Sequence, residues 1–443
     1  MRNSLTHSIY SARPSWAALL VALAVSACGG SGGPATPPQG GITVTEGDGQ
    51  ATVSWTATPD VKYWIFYAPT TSIDTRSWIN TASAQAILNT TTPYVITGLT
   101  NGTTYSFTLN GRTGDGAGGE GTPSVTIVPR LAGATWANVN GNFGGNTIRS
   151  IGYGVGGTDS NSQPLYYYLA VGDNGSSWRS SDGITWTAFT APTTGQLNGV
   201  VYGLSKFITI GAGGFIAYTT DLSSSGTWTQ ATSNTTSSLN ALASNGAIVI
   251  AVGDNGTILR SDNGASWSQA SSTTSQHLYG ISYSGSGVWS AVGAQGTLLT
   301  SSDSGVTWKA ATANTSNALR AAVAQTSVVT TNGSTSISYS VVAVGDKGTV
   351  LRSTDGGSTW ATQTSGTTAN LLAVSQSSNQ TTGSTTNNQW VATGSGGTVI
   401  RSTDGMTWTS STSTTPSNLY ALISGYLGKI VAAGQAGVGV YSQ

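Results

Sequence analysis

Short runs of apolar residues, each ended by a glycine-containing turn, recur along most of this chain. Examples are LAVG, which precedes DNG, and VVAVG, which precedes DKG. Apolar runs of this length that are bounded by glycine and rich in β-branched residues are typical of buried strands rather than helices. The pattern therefore predicts an all-β protein.

The second part of the chain repeats itself at intervals of roughly 40 to 50 residues, which is the length of one four-stranded propeller blade. Each unit contains an apolar strand, a Gly-x-x-Gly turn and, further on, a tryptophan that follows a polar turn. A leucine stands at a fixed distance after each tryptophan and marks the start of the next unit. The six tryptophans are Trp186, Trp228, Trp267, Trp308, Trp360 and Trp408.

The two ends of the repeat region complement each other. The seventh Gly-x-x-Gly turn, AAGQAG, lies so near the C-terminus that no tryptophan follows it, whereas Trp136 has no strands of its own before it. A strand near Trp136 would complete the last unit and close the array into a ring, which leaves no unpaired sheet edge. Residues 131–443 are therefore predicted to form a seven-bladed β-propeller closed by its N-terminal strand.

Residues 41–130 follow a different pattern, in which alternating strands such as ATVSW, KYWIFYA and TYSFTLNGRT are separated by glycine-rich turns. This pattern predicts a seven-strand sandwich. The segment resembles a fibronectin type III domain: Trp55 matches the buried tryptophan of the second strand, and Leu99 precedes the corner tyrosine, Tyr105. The resemblance implies a spacer or binding module.

The N-terminus has the pattern of an export signal. In residues 1–27, Arg2 and Arg13 precede a short apolar run from Trp16 to Val25, and the run is too short to span a bilayer. The sequence VSAC resembles the lipobox of bacterial lipoproteins, which implies lipidation of Cys28 and, because glycine follows it, an outer-membrane location. Residues 28–40, rich in glycine, serine and proline, are predicted to be a flexible linker.

The composition excludes several classes of function. Only 7% of the residues are charged, with 16 basic against 16 acidic, so the chain lacks the basic field that nucleic acids require. A single cysteine allows no internal disulfide and no cysteine-rich metal site. We expect no metal, no cofactor and a monomeric protein.

The polar turn before each tryptophan is predicted to be structural. SSDSGVTW and STDGGSTW fit the pattern Ser-x-Asp-x-Gly-x-Thr-Trp, and shorter forms occur elsewhere. A carboxylate there can accept backbone N–H bonds across the turn, while glycine permits positive φ. These turns resemble the Asp box of sialidases and other BNR-repeat propellers, and the surrounding units resemble the photosystem II assembly-factor type of propeller. The aspartates assigned to the boxes are Asp182, Asp262, Asp303, Asp355 and Asp404.

Enzymatic activity is the alternative hypothesis, because propellers of this class include glycosidases. Glycoside cleavage generally needs a pair of carboxyl groups, and sialidases need a tyrosine with a carboxylate partner. The repeat region contains no glutamate, and only the turn aspartates Asp173, Asp254 and Asp346 could be recruited. His277 is interpreted as a loop residue. We therefore expect a non-enzymatic protein, with a divergent carbohydrate-active enzyme as the alternative.

Binding is expected where the repeats differ most. The residue after the recurring leucine or isoleucine should lie at the mouth of the central channel, and it changes from unit to unit. The variable residues are Arg149, Asn198, Asn240, Tyr279, Arg320, Leu372 and Tyr420. Arginine, tyrosine and asparagine suit hydrogen bonding and stacking on a peptide or an anionic sugar. The sequence predicts a lipid-anchored envelope protein that binds a protein or glycan partner, or scaffolds one, at this mouth.

Overall fold

The computed structural model describes residues 33–76, 78–114, 117–223, 226–331, 334–378, 388–425 and 428–442. In these ranges the regular structure consists of β-strands and short 3₁₀ turns, in agreement with the all-β prediction. The predicted signal segment 1–27 and Cys28 lie outside the described residues.

The N-terminal domain is a sandwich of two antiparallel sheets. Its strands, β1 to β8, are Pro34–Ala35, Thr43–Gly47, Gln50–Ser54, Val61–Ala68, Gln85–Thr90, Tyr94–Thr97, Tyr105–Thr113 and Val125–Ile127, and a 3₁₀ turn spans Trp78–Asn80. One sheet has the order β1-β7-β4-β5 with β8 also on β7, and the other has the order β2-β3-β6. Trp55 packs against Tyr63 in the core between the sheets, and the Tyr105 hydroxyl accepts a hydrogen bond from the Thr100 N–H at 3.1 Å.

The predicted flexible linker over residues 28–40 is too long. Pro34 and Ala35 pair with Arg112 and Gly111 as an edge strand, so part of that segment belongs to the folded domain. Proline is tolerated there because an edge strand need not donate a hydrogen bond on its outer side.

The rest of the chain forms seven four-stranded antiparallel sheets, which we number as blades 1 to 7. A short strand, β9, at Ala137–Asn138 precedes them. Blades 1 to 3 comprise β10 to β13 (Ile148–Thr158, Pro164–Gly172, Ser177–Ser180, Thr187–Ala188), β14 to β17 (Leu197–Gly203, Lys206–Gly211, Ile216–Thr219, Thr229–Ala231) and β18 to β21 (Leu239–Ser244, Val249–Gly253, Ile258–Ser261, Ser268–Gln269).

Blades 4 to 6 follow the same order of strands. They comprise β22 to β25 (Leu278–Tyr283, Trp289–Gly293, Leu298–Ser301, Lys309–Ala310), β26 to β29 (Leu319–Thr331, Ser334–Gly345, Val350–Ser353, Ala361–Gln363) and β30 to β33 (Leu371–Ser378, Asn388–Gly394, Thr398–Ser402, Thr409–Thr412). Blade 7 has three strands from the C-terminus, β34 to β36 (Leu419–Ser424, Ile430–Gly434, Gly439–Ser442).

The fourth strand of blade 7 comes from the beginning of the repeat region. In β9, Ala137 pairs with Tyr441 and Asn138 pairs with Val440, and the Gly133 N–H donates to the Ser442 hydroxyl at 2.8 Å. The innermost strand of each blade contacts that of the next, and β34 contacts β10. The strand next to Trp136 thus completes the last blade, as the two incomplete ends of the repeat predict.

The Gly-x-x-Gly turns place side chains at one end of the channel. A Cβ on Gly172 would stand 2.0 Å from the Thr147 carbonyl oxygen, and one on Gly175 would stand 1.9 Å from that of Thr193. Both positions therefore require glycine, because neighbouring backbone passes too close for any side chain. The close approach fixes Asp173, the residue after the first glycine, beside the start of the innermost strand.

The long segment in blade 5 differs from its prediction. Its serine, threonine and asparagine content predicts a solvated loop around residues 325–340, but β26 and β27 remain paired from Leu319 with Gly345 to Thr331 with Ser334. Alternating β-branched residues favour a hairpin here. The hairpin lies at the end of the blade opposite the Gly-x-x-Gly turns.

Candidate functional site

The boxes before the tryptophans have the predicted hydrogen bonds. In blade 1 the Asp182 Oδ1 atom accepts the Ile184 and Thr185 N–H groups at 2.8 and 2.7 Å, and also the Ser180 hydroxyl at 2.8 Å. The indole N–H of Trp186 donates to the Gly183 carbonyl at 3.2 Å. The same indole bond forms at Trp136, Trp267, Trp308, Trp360 and Trp408.

The assignment of Asp262 to a box is wrong. In blade 3 the turn acceptor is Asn263, whose Oδ1 atom accepts the N–H groups of Ala265 and Ser266, both at 2.9 Å. Asp262 is exposed and stands one residue too early in the turn. An amide oxygen can accept backbone hydrogen bonds as a carboxylate can, so the geometry follows position in the turn rather than charge.

The box carboxylates are held ionised by these bonds. Hydrogen bonds from the Thr307 hydroxyl and N–H lower the pKa of Asp303 to about 2. Partial burial opposes ionisation of Asp355, but hydrogen bonds from Thr359 and Ser353 outweigh it and lower its pKa to about 2 as well. The pKa values of Asp182 and Asp404 are lowered too, because backbone and serine hydrogen bonds outweigh burial. The oxygen lone pairs of these aspartates accept hydrogen bonds within the turns.

Basic side chains connect each of several boxes to the preceding blade. The Lys206 ammonium donates to the Asn263 carbonyl at 2.6 Å, the Arg260 Nε donates to the Ser304 carbonyl at 3.0 Å, and Arg179 bonds the Leu222 carbonyl. Lys429 of blade 7 donates to the Asp182 carbonyl of blade 1 at 2.7 Å, across the closure of the ring. This end of the propeller is therefore built for cohesion between blades.

The opposite end of the channel brings all seven variable residues together. Each is half-buried at the start of an innermost strand, and together they line one cavity of about 170 Å³, which we call the mouth. One residue comes from each blade: Arg149, Asn198, Asn240, Tyr279, Arg320, Leu372 and Tyr420. The register predicted from the recurring leucine thus places them on a common surface.

Two of these residues form ion pairs that the sequence reasoning missed. Arg149 engages Asp173 with Nε to Oδ1 at 2.5 Å and Nη2 to Oδ2 at 3.3 Å. Arg320 engages Asp346 through the same atoms, both at 2.8 Å, and this hydrogen bonding raises the pKa of Arg320. A signal was present in the sequence, because arginine follows the leucine in two units whose turn also carries aspartate.

His277 lies in the loop before β22, as expected, and its side chain contacts residues at the mouth. Its Nδ1 atom lies 3.0 Å from Oδ1 of Asp254, and its ring stacks on Tyr279 with centroids 6.3 Å apart and planes inclined by 11°. The guanidinium of Arg320 lies over the Tyr279 ring, 4.9 Å from the ring centroid. Histidine, tyrosine and arginine from neighbouring blades thus form one continuous polar and aromatic wall.

A shallow groove lies on blade 2 at the same end of the propeller as the mouth. It has a volume of about 960 Å³ and runs along blade 2 between the turn Ala212–Gly214 and residues 230–236. Its lining consists mainly of hydroxyl and amide groups with the ring of Phe215. The groove shares no lining residue with the mouth, and both lie at the Gly-x-x-Gly end of the blades.

Two other kinds of site are absent from the described ranges. No group of three histidine, cysteine, aspartate or glutamate residues there is arranged to hold a metal ion. The same ranges contain no helix with the length and hydrophobicity needed to span a bilayer.

Comparison with known proteins identifies the N-terminal domain. Residues 36–127 match the Fibronectin type III domain family. No curated protein matches the chain.

Solved structures resemble the rest of the chain in fold. The structure "YCF48 bound to D1 peptide" has a TM-score of 0.51 and 18% identity, covering 70% of this chain and 94% of its own. YCF48 from Cyanidioschyzon merolae has a TM-score of 0.51 and 17% identity, and the match covers 70% of this chain and 99% of that one. The WD40 β-propeller domain of Doa1 has a TM-score of 0.51 and 12% identity, and the match covers 69% of this chain and 95% of that one. The described part of the chain therefore contains a fibronectin type III domain followed by a seven-bladed β-propeller.

Proposed function

We propose that the propeller is a binding module that receives an extended segment of a partner protein at its mouth. The observation that supports this most strongly is the convergence of one side chain from every blade, of four residue types in all, on a single cavity. The box end repeats the same turn hydrogen bonds in most blades, whereas the residue at the start of the innermost strand varies at the mouth end. When the side chains of a repeat protein vary mainly on one surface, that surface is the expected binding site.

The dimensions favour a peptide over a small molecule. Pockets that enclose a small ligand usually measure roughly 300–1,000 Å³, and the mouth cavity, at about 170 Å³, is smaller than that range. A single side chain can enter such a cavity while the rest of the segment lies along the groove of blade 2. One of the propellers of similar fold is described as bound to a peptide, which is consistent with this use of the fold.

The cellular setting is a proposal based on the N-terminal sequence. The VSAC sequence supports lipid attachment at Cys28, with the fibronectin type III domain as a spacer between the membrane and the propeller. The partner would then be a protein of the bacterial envelope. We infer an outer-membrane location from the glycine after Cys28, and we propose that the propeller acts without a cofactor.

Peptide selection tests the proposal. The chain from Gly29 onward, which keeps the edge strand Pro34–Ala35, is immobilised and short random peptides displayed on phage are selected on it. We expect convergent peptides whose affinity falls at least about tenfold, or 1.4 kcal/mol, when Tyr279→Ala and Tyr420→Ala are combined. The control is Val306→Ser, because Val306 is 53% exposed in a box turn at the opposite end. Failure of the pool to converge, or equal loss in the control, would contradict binding at the mouth.

The glycosidase hypothesis requires a pair of catalytic carboxylates at the mouth. A catalytic pair would have to come from Asp173, Asp254 and Asp346, which lie on alternate blades, and both oxygens of Asp173 and Asp346 are engaged by arginine. We propose that these carboxylates organise the mouth instead. Single Asp→Asn substitutions at the three positions, assayed on a panel of glycans, discriminate between the hypotheses: loss of a measurable turnover in one or two variants with unchanged melting would establish an enzyme.

A further inference from the structure

One aspartate beside the mouth, Asp254, lacks the arginine partner that its two counterparts have. Blades 1, 3 and 5 each carry aspartate at the same position of the Gly-x-x-Gly turn. The residue that faces it from the start of the innermost strand is Arg149 in blade 1 and Arg320 in blade 5, but Asn240 in blade 3. The three blades are therefore an internal comparison in which a single arginine is missing.

The contacts of Asp254 show what the missing arginine leaves behind. Oδ1 accepts the Asn240 amide at 2.9 Å and faces His277 Nδ1 at 3.0 Å. Among the residues that the structure describes, none donates a hydrogen bond to Oδ2, whereas both oxygens of Asp173 and Asp346 are engaged. The Asp254 side chain is 33% exposed, so a ligand can reach it.

The two groups that do contact Asp254 cannot take the place of an arginine. Asn240 is neutral, and its Nδ2 also donates to the Leu278 carbonyl at 3.0 Å, so both of its amide hydrogens are used. His277 carries charge only when it is protonated. The arginines of blades 1 and 5, by contrast, keep their charge and form two parallel bonds to the carboxylate.

We propose that Asp254 is a subsite for a basic side chain, lysine or arginine, of the bound peptide. This inference rests on the proposed function and names the chemistry that the mouth recognises. The cation donates to Oδ2, and its aliphatic stem lies along the rings of His277 and Tyr279 beside the carboxylate. The partner thus supplies the positive charge for Asp254 that an arginine of the chain supplies for Asp173 and Asp346.

The substitution Asn240→Arg tests this by completing the pair from within the chain. Blades 1 and 5 accommodate arginine at the equivalent position, so blade 3 has a precedent for the same geometry. Asp254→Asn removes the charge instead. The matched control is Gln295→Arg, which adds the same charge one blade away at an exposed turn position outside the mouth, where the equivalent turn of blade 5 carries Lys347.

Random peptides are selected in parallel on the native chain and on these three variants, and the pools are sequenced. We expect one peptide position to be enriched in lysine and arginine with the native chain and with Gln295→Arg, and the enrichment to disappear with Asn240→Arg and Asp254→Asn. Replacing that arginine by citrulline in a synthetic peptide should lower its affinity for the native chain by roughly tenfold to a hundredfold. The same replacement should leave the affinity for the Asn240→Arg chain unchanged.

The outcomes separate this inference from the proposed function. Pools that converge and depend on Tyr279 and Tyr420, but lack an enriched basic residue, would overturn the Asp254 subsite and leave mouth binding intact. Persistence of the enrichment with Asn240→Arg would also overturn the subsite. Its equal loss with Gln295→Arg would overturn the subsite too, because it would show that any added positive charge near the mouth repels basic peptides. Pools that do not converge would overturn both.

Discussion

Side-chain position within a turn, rather than residue name, decides which groups hold the propeller together. The blade 3 box is the clearest case, because Asn263 accepts the two backbone bonds and the neighbouring Asp262 is exposed. The sequence pattern led to Asp262 because the motif is written with aspartate. Alignment on the following glycine, Gly264, places Asn263 opposite Asp182 and would have found the acceptor.

This difference predicts opposite results for two adjacent substitutions. Asn263→Ala removes the acceptor of two backbone N–H groups and should lower the free energy of unfolding by about 1–2 kcal/mol. Asp262→Ala removes an exposed side chain and should change it by less than about 0.5 kcal/mol. Urea unfolding followed by tryptophan fluorescence measures both. A larger effect from Asp262→Ala would restore the original assignment.

The box carboxylates also predict how stability depends on pH. Asp303 and Asp355 have pKa values of about 2 in the folded chain, below the ordinary value of 3.8. A lowered folded pKa stabilises the fold above the unfolded pKa, and that stabilisation is lost as the pH falls through the folded pKa. The free energy of unfolding should therefore decline between about pH 4 and pH 2.

The pH dependence is measured by urea unfolding at a series of pH values, with Asp303→Asn as the comparison. Asparagine keeps an acceptor oxygen but does not titrate, so this variant should lose less stability on acidification than the native chain. If the free energy of unfolding depends on pH in the same way for both chains, ionisation of Asp303 does not contribute to stability.

At the scale of the element, the closing strand joins the two ends of the ring. Trp136, just before β9, is 7% exposed and packs with Val391, Leu419 and Ile430 of blades 6 and 7. Trp228 occupies the equivalent place between blades 1 and 2, but it is only half-buried and its indole bonds the Thr190 carbonyl of the neighbouring blade.

The two tryptophans should therefore differ in their effect on stability. Trp136→Ala should cost about 3–5 kcal/mol, the range for a buried tryptophan, because it also loosens the closure. Trp228→Ala should cost less, since its ring is already partly in water. Thermal unfolding of the two variants makes the comparison. An equal or smaller loss for Trp136→Ala would mean that the closing strand is not needed for stability.

The elements themselves could largely be predicted from the sequence, because periodic apolar runs and obligatory glycines report directly on backbone geometry. The seven-fold repeat, the closing strand and the mouth register all follow from spacing. The pairing of Arg149 with Asp173 and of Arg320 with Asp346 could not be read from either residue alone. The β26–β27 hairpin was mispredicted because polar composition hid its β-branched alternation.

At the scale of the whole molecule, we propose that a lipid anchor and a fibronectin type III spacer hold the propeller at the membrane, where it binds its partner. The proposed anchor predicts that Cys28 carries lipid. Cells grown with an alkyne-labelled fatty acid should label the native chain, while Cys28→Ser should remain unlabelled and leave the membrane fraction. Equal labelling of both chains would place the lipid elsewhere, and labelling of neither would contradict the anchor.

The most direct test of mouth binding is site-specific photocross-linking in living cells. A benzophenone amino acid replaces Tyr279 or Tyr420 at the mouth, or Val306 at the opposite end, in the full-length chain. We predict that one discrete protein adduct forms from both mouth positions and not from Val306, and that adding Asn240→Arg reduces it. Adducts from Val306 alone, or the same adducts from all three positions, would contradict the claim that this propeller binds its partner at the mouth.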